Sequence, residues 1–240
     1  ILRSQTLSGT PQLEWIMHKE VLSRLLEVHR SKCAYCEQKI AIVDSSVFLT
    51  YYRPYSQYYW LAYEWSNMLP VCKDCYLYTE HDFPVENEHH HRVTSPPKSR
   101  QDWLPTGIPF LKEKPLLLNP EMDRPEKYLV FNPEGYLEAI EQNSRALNTI
   151  EAYQLNKGQV VVARKKRIEA LFTRFEKAIT TFKRFDADNT PNQKGMDEYF
   201  IPIFSDLLEM SKPESEFSLL GRSMLYKFDT FFSDRLYKPK

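Results

Sequence analysis

Four cysteines, arranged as two Cys-x-x-Cys pairs, are the feature that most constrains how this chain folds. Cys33 and Cys36 form the first pair, Cys72 and Cys75 form the second, and the 240 residues contain no other cysteine. Two residues between thiolates let both sulfurs face one ion across a tight turn, and two such pairs supply the four ligands of tetrahedral Zn²⁺. The pattern therefore predicts one zinc ion that closes the loop between the pairs.

Disulfides or unligated core thiols are the alternative interpretation of the four cysteines. A bridge within one pair would close a very short loop and would constrain the unfolded chain little. The sequence as given begins without an apolar signal segment, so we expect a reducing cytoplasmic compartment, where disulfides are rare. A closed four-thiolate site leaves no open position for water, so we expect the zinc to be structural.

The segment between the two pairs is unusually aromatic. It contains the runs Tyr51–Tyr55 and Tyr58–Trp65. One interpretation is that these rings pack around a zinc module that is too small for a large aliphatic core. The other is a stacking platform for unpaired bases.

Several motifs outside the cysteines carry a family resemblance. They are Lys32–Glu37, Arg53-Pro54, Tyr59–Leu69, Phe83-Pro84, Lys114–Pro120, Phe131–Gly135, and Leu155-Asn156 followed by Val160 and Arg164. With the cysteine pairs, they resemble the PtuB-type HNH nucleases, which accompany an ATPase in Septu anti-phage systems and in some retrons. The resemblance covers most of the chain and is weakest toward its C-terminal end.

The resemblance implies both a fold and a function. The fold would be α+β, with a zinc-stabilised HNH module of the ββα-metal type followed by a mainly helical portion. The reaction would be hydrolysis of phosphodiester bonds in DNA or RNA, a tRNA loop included, assisted by Mg²⁺ or Mn²⁺. The implied partners are a PtuA-like ATPase, the nucleic-acid substrate and, in the retron versions, a reverse transcriptase with its RNA-linked DNA.

The chain departs from this family where the chemistry takes place. Tyr51 stands where members have the histidine that activates water, and Tyr76 stands where they tend to have asparagine. Tyrosine, with an ordinary pKa of about 10, is a poor base at neutral pH. Asn67 keeps the family's central asparagine, and His81 is a candidate replacement for the lost base. The candidate catalytic residues are therefore Tyr51, Asn67 and His81, and the alternative is an inactive pseudo-HNH module that binds nucleic acid or scaffolds the ATPase complex.

Charge favours a local contact with nucleic acid over a general one. The chain has 32 basic and 32 acidic residues, so it lacks the overall basic excess of proteins that grip nucleic acid by charge alone. The candidate contacts are Arg53, Lys73, Arg164, Lys165, Lys166 and Arg167. The run from Arg164 to Arg167 is also consistent with an ordinary solvated helix face.

Hydrophobic periodicity and turn residues predict the remaining elements. The predicted helices are Pro11–Arg30, Asn143–Leu155, Gly158–Phe185, Tyr199–Met210 and Leu219–Phe232, with a polar linker at Asp186–Gly195. Strands Lys39–Val43 and Val47–Tyr52 are predicted to form a hairpin around Asp44–Ser46, and Pro105–Pro133 to be strands and turns rather than helix.

Two domains follow from this arrangement. Residues 1–135 would form the HNH-like zinc module with its N-terminal helix and an extended clasp, and residues 136–240 a helical portion that can dock a partner. Phe228, Phe231 and Phe232 are predicted to dock on the body or on another chain. No apolar run approaches the roughly 18 residues that a membrane span needs, so we expect no membrane partner.

Overall fold

The computed structural model describes residues 19–41, 47–77, 83–87, 91–187 and 193–233. Its helices are α1 (Lys19–Val28), α2 (Lys73–Tyr76), α3 (Ile108–Glu113), α4 (Ser144–Ala152), α5 (Gln159–Ala187), α6 (Gln193–Ser211) and α7 (Ser218–Tyr226). Its strands are β1 (Val47–Tyr51), β2 (Met68–Cys72), β3 (Leu129–Phe131) and β4 (Leu137–Ala139), in two sheets of two strands each. The fold therefore mixes α and β, as predicted.

The first sheet joins the end of the aromatic segment to its beginning. β1 pairs antiparallel with β2 in a register that sets Val47 opposite Cys72 and Tyr51 opposite Met68. This pairing corrects the predicted hairpin, because Lys39 forms only an isolated bridge with Lys32, and residues 42–46 lie outside the described residues. All five residues of β2 are buried, whereas Lys39 and Ala41 are exposed. Pairing with β2 therefore buries more apolar surface of the sheet than pairing with the segment at Lys39 would.

Helix α3 corrects the prediction that Pro105–Pro133 contains no helix. Gly107 lies at the N-cap, and Pro109 lies in the first turn. The first turn tolerates proline, because backbone N–H groups there have no partner within the helix and the fixed φ of proline suits a helix. The helix ends at Lys114, which adopts a left-handed conformation with φ of 49°. The clustered prolines therefore start this short helix, which carries the buried Glu113.

The predicted helices of the C-terminal half are present, but α6 begins six residues before the predicted Tyr199 and α7 ends at Tyr226, six residues before the predicted Phe232. Asn143 caps α4, because its side chain accepts a hydrogen bond of 3.1 Å from the backbone N–H of Ala146. The predicted linker at Asp186–Gly195 is shorter than expected, since α5 continues to Ala187 and α6 begins at Gln193. The predicted helix Pro11–Arg30 is described only as α1, because residues 11–18 lie outside the described residues.

Contacts divide the chain into two units that interleave in sequence. The first contains the described residues up to Tyr128 together with Ala139–Leu155, and the second contains Leu129–Glu138 and the described residues from Asn156 onward. The predicted division into domains 1–135 and 136–240 stays a prediction.

Phenylalanine rings form much of the core of the second unit. Phe228 stacks on Phe204 with centroids 5.6 Å apart, and Phe232 lies 5.3 Å from Phe175. Phe231 and Phe232 are fully buried. The last phenylalanines therefore dock within their own unit, which decides between the two predicted docking places.

Within the described residues, no helix is both long and apolar enough to cross a bilayer.

Candidate metal centre and adjoining site

The four cysteines converge on one point, although the two pairs are far apart in sequence. Their sulfurs all lie within 4.8 Å of one another, and all four residues are buried. The Sγ atoms of Cys36 and Cys72 are 3.7 Å apart, which is too long for a disulfide and close to the separation of about 3.8 Å that two thiolates on one tetrahedral Zn²⁺ would have. The cysteines are free thiols in a geometry that suits zinc.

Backbone hydrogen bonds hold both pairs in place. The N–H of Cys33 donates to the carbonyl of Gln38 over 2.8 Å, and the N–H of Ala34 donates to the carbonyl of Pro70 in β2 over 2.9 Å. At the second pair, Cys72 caps α2, and its sulfur accepts the N–H of Cys75 over 3.5 Å. The sheet and the first turn of α2 therefore set the positions of all four sulfurs.

The neighbouring thiols favour the thiolate form of Cys72. Hydrogen bonds from Cys33 and Cys36 lower the pKa of the Cys72 thiol, whereas the neighbouring sulfurs raise the pKa values of Cys36 and Cys75. Metal ligands must be thiolates, and a bound Zn²⁺ deprotonates its coordinating thiols. The buried donor set therefore fits a dication held by Cys33, Cys36, Cys72 and Cys75.

Tyr51 ends β1 with its hydroxyl in a buried position. No described residue accepts or donates a hydrogen bond at this hydroxyl. Burial, followed by the nearby Tyr55, Tyr63 and Tyr76, raises the pKa of Tyr51 above its ordinary value. A raised pKa makes Tyr51 a weaker candidate base than an ordinary tyrosine.

Asn67 lies just before β2 and is almost fully buried. Its Oδ1 accepts the N–H of Arg53 over 2.8 Å, and its Nδ2 donates to the carbonyls of Arg53 and Leu61 over 3.0 and 3.4 Å. The carbonyl of Asn67 also accepts the N–H of Tyr52. The amide thus ties the two ends of the aromatic segment together, which is a positioning role.

Arg53 belongs to a buried ion pair. Its Nε donates to Glu113 over 2.8 Å, and the two side chains are 5% and 0% exposed. The other carboxylate oxygen of Glu113 accepts the hydroxyl of Tyr58 over 2.6 Å and the N–H of Val93 over 3.1 Å. The ring of Phe110 lies 4.3 Å from the guanidinium carbon. Arg53 is therefore held inside the first unit by its ion pair and by the neighbouring rings, and it does not lie on an exposed basic surface.

The remaining basic candidates fall into two groups. Arg164 is buried, with its guanidinium over the rings of Phe131 and Phe217, so it is a core residue of the second unit. Lys73, Lys165 and Lys166 are exposed, and Arg167 is half-buried. Lys165 pairs with Glu134, and Arg167 pairs with Glu216. Arg53 and Arg164 are thus buried, whereas the other four candidates are exposed or half-buried.

The aromatic segment divides between the two interpretations. Tyr52, Tyr58 and Trp60 are buried, and the first two meet Phe83 edge to face at 5.2 and 5.6 Å. Tyr59 and Trp65 remain 37% and 40% exposed. Of the eight rings, three are therefore buried in the core, three are partly buried, and two are exposed at the surface. His81 lies outside the described residues.

Sequence reasoning missed Glu113, because no motif marks it. No local pattern showed that Arg53 is buried, so nothing in the sequence was a reason to look for its carboxylate partner. Arg145 and Asp123 were missed for the same reason, and they form a two-fold hydrogen-bonded pair of 3.0 and 2.6 Å.

Comparison with known proteins gives two relatives. The chain is 30% identical over 162 residues, 62% of its length, to the Septu protein PtuB of Bacillus mycoides (strain KBAB4), of which it covers 50%. It is 25% identical over 146 residues, 55% of its length, to the Septu protein PtuA of the same strain, of which it covers 18%. The chain thus spans half the length of one relative and less of the other. No protein-family model matches it.

Proposed function

We propose that this chain is a subunit of a Septu-type anti-phage defence system, built on a zinc-stabilised HNH-like scaffold and able to hydrolyse phosphodiester bonds slowly in complex with a PtuA-like ATPase. The observation that carries the proposal is the similarity to PtuB in a chain with a buried four-cysteine cluster. The order β1, β2, α2 around that cluster is also compatible with a ββα-metal unit.

A structural zinc on the four cysteines would stabilise the sheet, and a second divalent ion, Mg²⁺ or Mn²⁺, would supply Lewis acidity for the hydrolysis. Asn67 would hold the aromatic segment in place beside Tyr51. A general base typically contributes about 10²- to 10⁴-fold, so a site without one at Tyr51 is expected to be slow. His81 remains a candidate base, and Lys73, Lys165, Lys166 and Arg167 remain candidate contacts to nucleic acid.

The competing function is a pseudo-HNH module that binds nucleic acid or scaffolds the complex. The buried Tyr51 hydroxyl with its raised pKa favours it. The deciding experiment purifies the chain with the ATPase encoded beside it and assays DNA, tRNA and other RNA with Mg²⁺, Mn²⁺ or a chelator. Cleavage that requires the divalent ion supports the nuclease, whereas binding without cleavage under every ion supports the pseudo-HNH module.

An exposed apolar stripe on α6 is the proposed docking face for the ATPase. Ile201, Phe204 and Leu208 follow a helical spacing and are 58%, 40% and 56% exposed. A truncation after Asp186 would uncover the phenylalanine core, so point substitutions are the better test. Ile201→Glu with Leu208→Glu should abolish copurification with the ATPase, while Val162→Glu, at another exposed position, should not.

A retron context would add a reverse transcriptase and its RNA-linked DNA to the complex. Sequencing of nucleic acid that copurifies with the chain and its ATPase tests this proposal. Four free thiols suit a reducing compartment, so we place the complex in the cytoplasm.

A further inference from the structure

A cleft of about 480 Å³ lies in the first unit beside Arg53. Neither Tyr51 nor any of the four cysteines lines it, so it is separate from the metal centre. Its volume falls within the range of about 300 to 1,000 Å³ that is typical of small-molecule sites.

The charged residues that line the cleft are two ion pairs and Arg53. Lys114 pairs with Glu86 over 2.6 Å, and Arg145 holds Asp123 with two hydrogen bonds, and all four of these side chains line the cleft. Within each pair, the two opposite charges cancel. Arg53 also lines the cleft, but its carboxylate partner, Glu113, does not.

Two contacts fix the position of the Arg53 side chain, which lines the cleft. Its Nε is bonded to Glu113, and Phe110 covers its guanidinium. Glu113 shares its charge with two further donors. Among the described residues, none accepts a hydrogen bond from the two terminal nitrogens of Arg53, so the fork that binds oxyanions in two-fold fashion is available to a ligand in the cleft.

The wall next to Arg53 is apolar. Phe110, Leu111 and Met122 line the cleft, and the last two are 61% and 49% exposed. Ser144, in the first turn of the nine-residue helix α4, lies in the lining as well, and the first turn of a helix favours anions. The cleft therefore combines donors for an oxyanion with a surface for a flat apolar group.

We propose that this cleft binds a nucleoside 5′-monophosphate group, with its phosphate on Arg53 and its base against Leu111 and Met122. A phosphate monoester offers three terminal oxygens, enough for the arginine fork and for Ser144 together. The group comes either from a free nucleotide or from the 5′-phosphorylated end of a strand. The proposal does not depend on nuclease activity or on the ATPase.

Calorimetric titration of the purified zinc-loaded chain tests the proposal with AMP, adenosine, inorganic phosphate and indole-3-acetate. AMP is expected to bind saturably, and each of the other three to bind at least about tenfold more weakly, because each lacks one of the two recognised features or the phosphate geometry. Absence of saturable AMP binding overturns the proposal. Adenosine or indole-3-acetate binding as tightly as AMP overturns the assignment to phosphate.

A matched pair of substitutions on α3 locates the site. Leu111→Glu places a carboxylate in the cleft and should weaken AMP binding about tenfold or more, because like charges repel. Ile108→Glu is equally exposed on the same helix but does not line the cleft, and it should leave AMP binding unchanged. Equal effects of the two substitutions contradict the location.

The source of the phosphate is decided by oligonucleotides. A 5′-phosphorylated strand that binds more tightly than AMP, and more tightly than its unphosphorylated twin, assigns the cleft to strand ends. A strand that binds no better than AMP assigns it to the free nucleotide. A 5′-phosphate that gives the strand no advantage while AMP also fails to bind rules out both sources.

Discussion

At the scale of single residues, Tyr51 and Asn67 differ in how well the fold satisfies them. The hydroxyl of Tyr51 is buried without a hydrogen-bond partner among the described residues, whereas every polar atom of the Asn67 side chain is bonded. An unsatisfied buried hydroxyl lowers stability by about 1 to 3 kcal/mol, and such groups persist in native proteins mainly where they have a role or meet water. Tyr51 is therefore a residue whose removal is informative.

We predict that Tyr51→Phe raises the free energy of unfolding by up to about 1 kcal/mol and leaves any nuclease activity largely intact. The fold raises the pKa of Tyr51, so above the unfolded-state pKa of about 10 the tyrosine ionises more readily in the unfolded chain. The free energy of unfolding of the wild type therefore falls above a pH of about 10, and the variant lacks this loss. In urea unfolding, the free energy of unfolding of the variant should exceed that of the wild type by more at pH 10.5 than at pH 8. Loss of cleavage by a folded, zinc-loaded Tyr51→Phe chain would contradict the prediction.

For Asn67 we predict that substitution by alanine destabilises the first unit by about 2 to 3 kcal/mol, because it leaves buried backbone groups of Arg53 and Leu61 unpaired. Any cleavage should fall together with stability, as expected for a positioning residue. The measurements are urea unfolding and single-turnover cleavage at a temperature where the variant is fully folded. Unchanged stability with abolished cleavage would assign Asn67 a direct chemical role instead.

At the scale of elements, α3 is fastened to the aromatic segment by Arg53 and Glu113. A buried ion pair is weak support for stability as a pair, but removal of one partner leaves an uncompensated buried charge. Tyr58 adds to the cost, because its hydroxyl donates to the same carboxylate. The short helix α3 therefore depends on this contact more than on its own six residues.

We predict that Glu113→Gln lowers the free energy of unfolding by about 3 to 5 kcal/mol, since Arg53 then remains charged in the interior. Chemical denaturation followed by tryptophan fluorescence measures the change. The double variant with Arg53→Met should recover part of the loss, because no buried charge remains. Glu86→Gln is the control, as its pair with Lys114 is exposed and should contribute nothing measurable.

At the scale of the whole molecule, the metal centre and the phenylalanine core belong to different units. The four cysteines lie in the first unit, and Phe175, Phe204, Phe228 and Phe232 lie in the second. Zinc binding contributes directly to folding where it joins distant segments, as an ion on these four cysteines would between residues 33 and 75. The two units are therefore expected to respond differently to loss of the metal.

Elemental analysis should find about one Zn²⁺ per chain, and its removal by a strong chelator should unfold the first unit first. The four tryptophans, Trp15, Trp60, Trp65 and Trp103, all lie outside the residues of the second unit, so their emission reports the first. The expected result is a red-shifted emission with most of the helical circular dichroism of α5 to α7 retained, and recovery on adding Zn²⁺. Cys72→Ser should behave like the chelated chain. A metal-free sample with native emission would exclude a structural zinc.

Features that depend on local spacing could be predicted from the sequence alone. The two Cys-x-x-Cys pairs indicated the four sulfurs of the candidate metal centre, and the 3.6-residue period with a cap at Asn143 or Ser144 indicated α4, α5 and their boundaries within a few residues. These features can be predicted from the sequence because each depends on residues that are close together along the chain.

Features that depend on partners far apart in the sequence are visible only in the folded chain. The pairing of β1 with β2, the burial of Arg53 against Glu113, and the burial of Arg164 between two rings join residues that no local pattern connects. A basic residue near a cysteine pair, or within a basic run, looks solvated in the sequence, because the carboxylate or the aromatic rings that accept it lie dozens of residues away. Burial is a property of the packed chain, and it turned two of the predicted surface contacts into core residues.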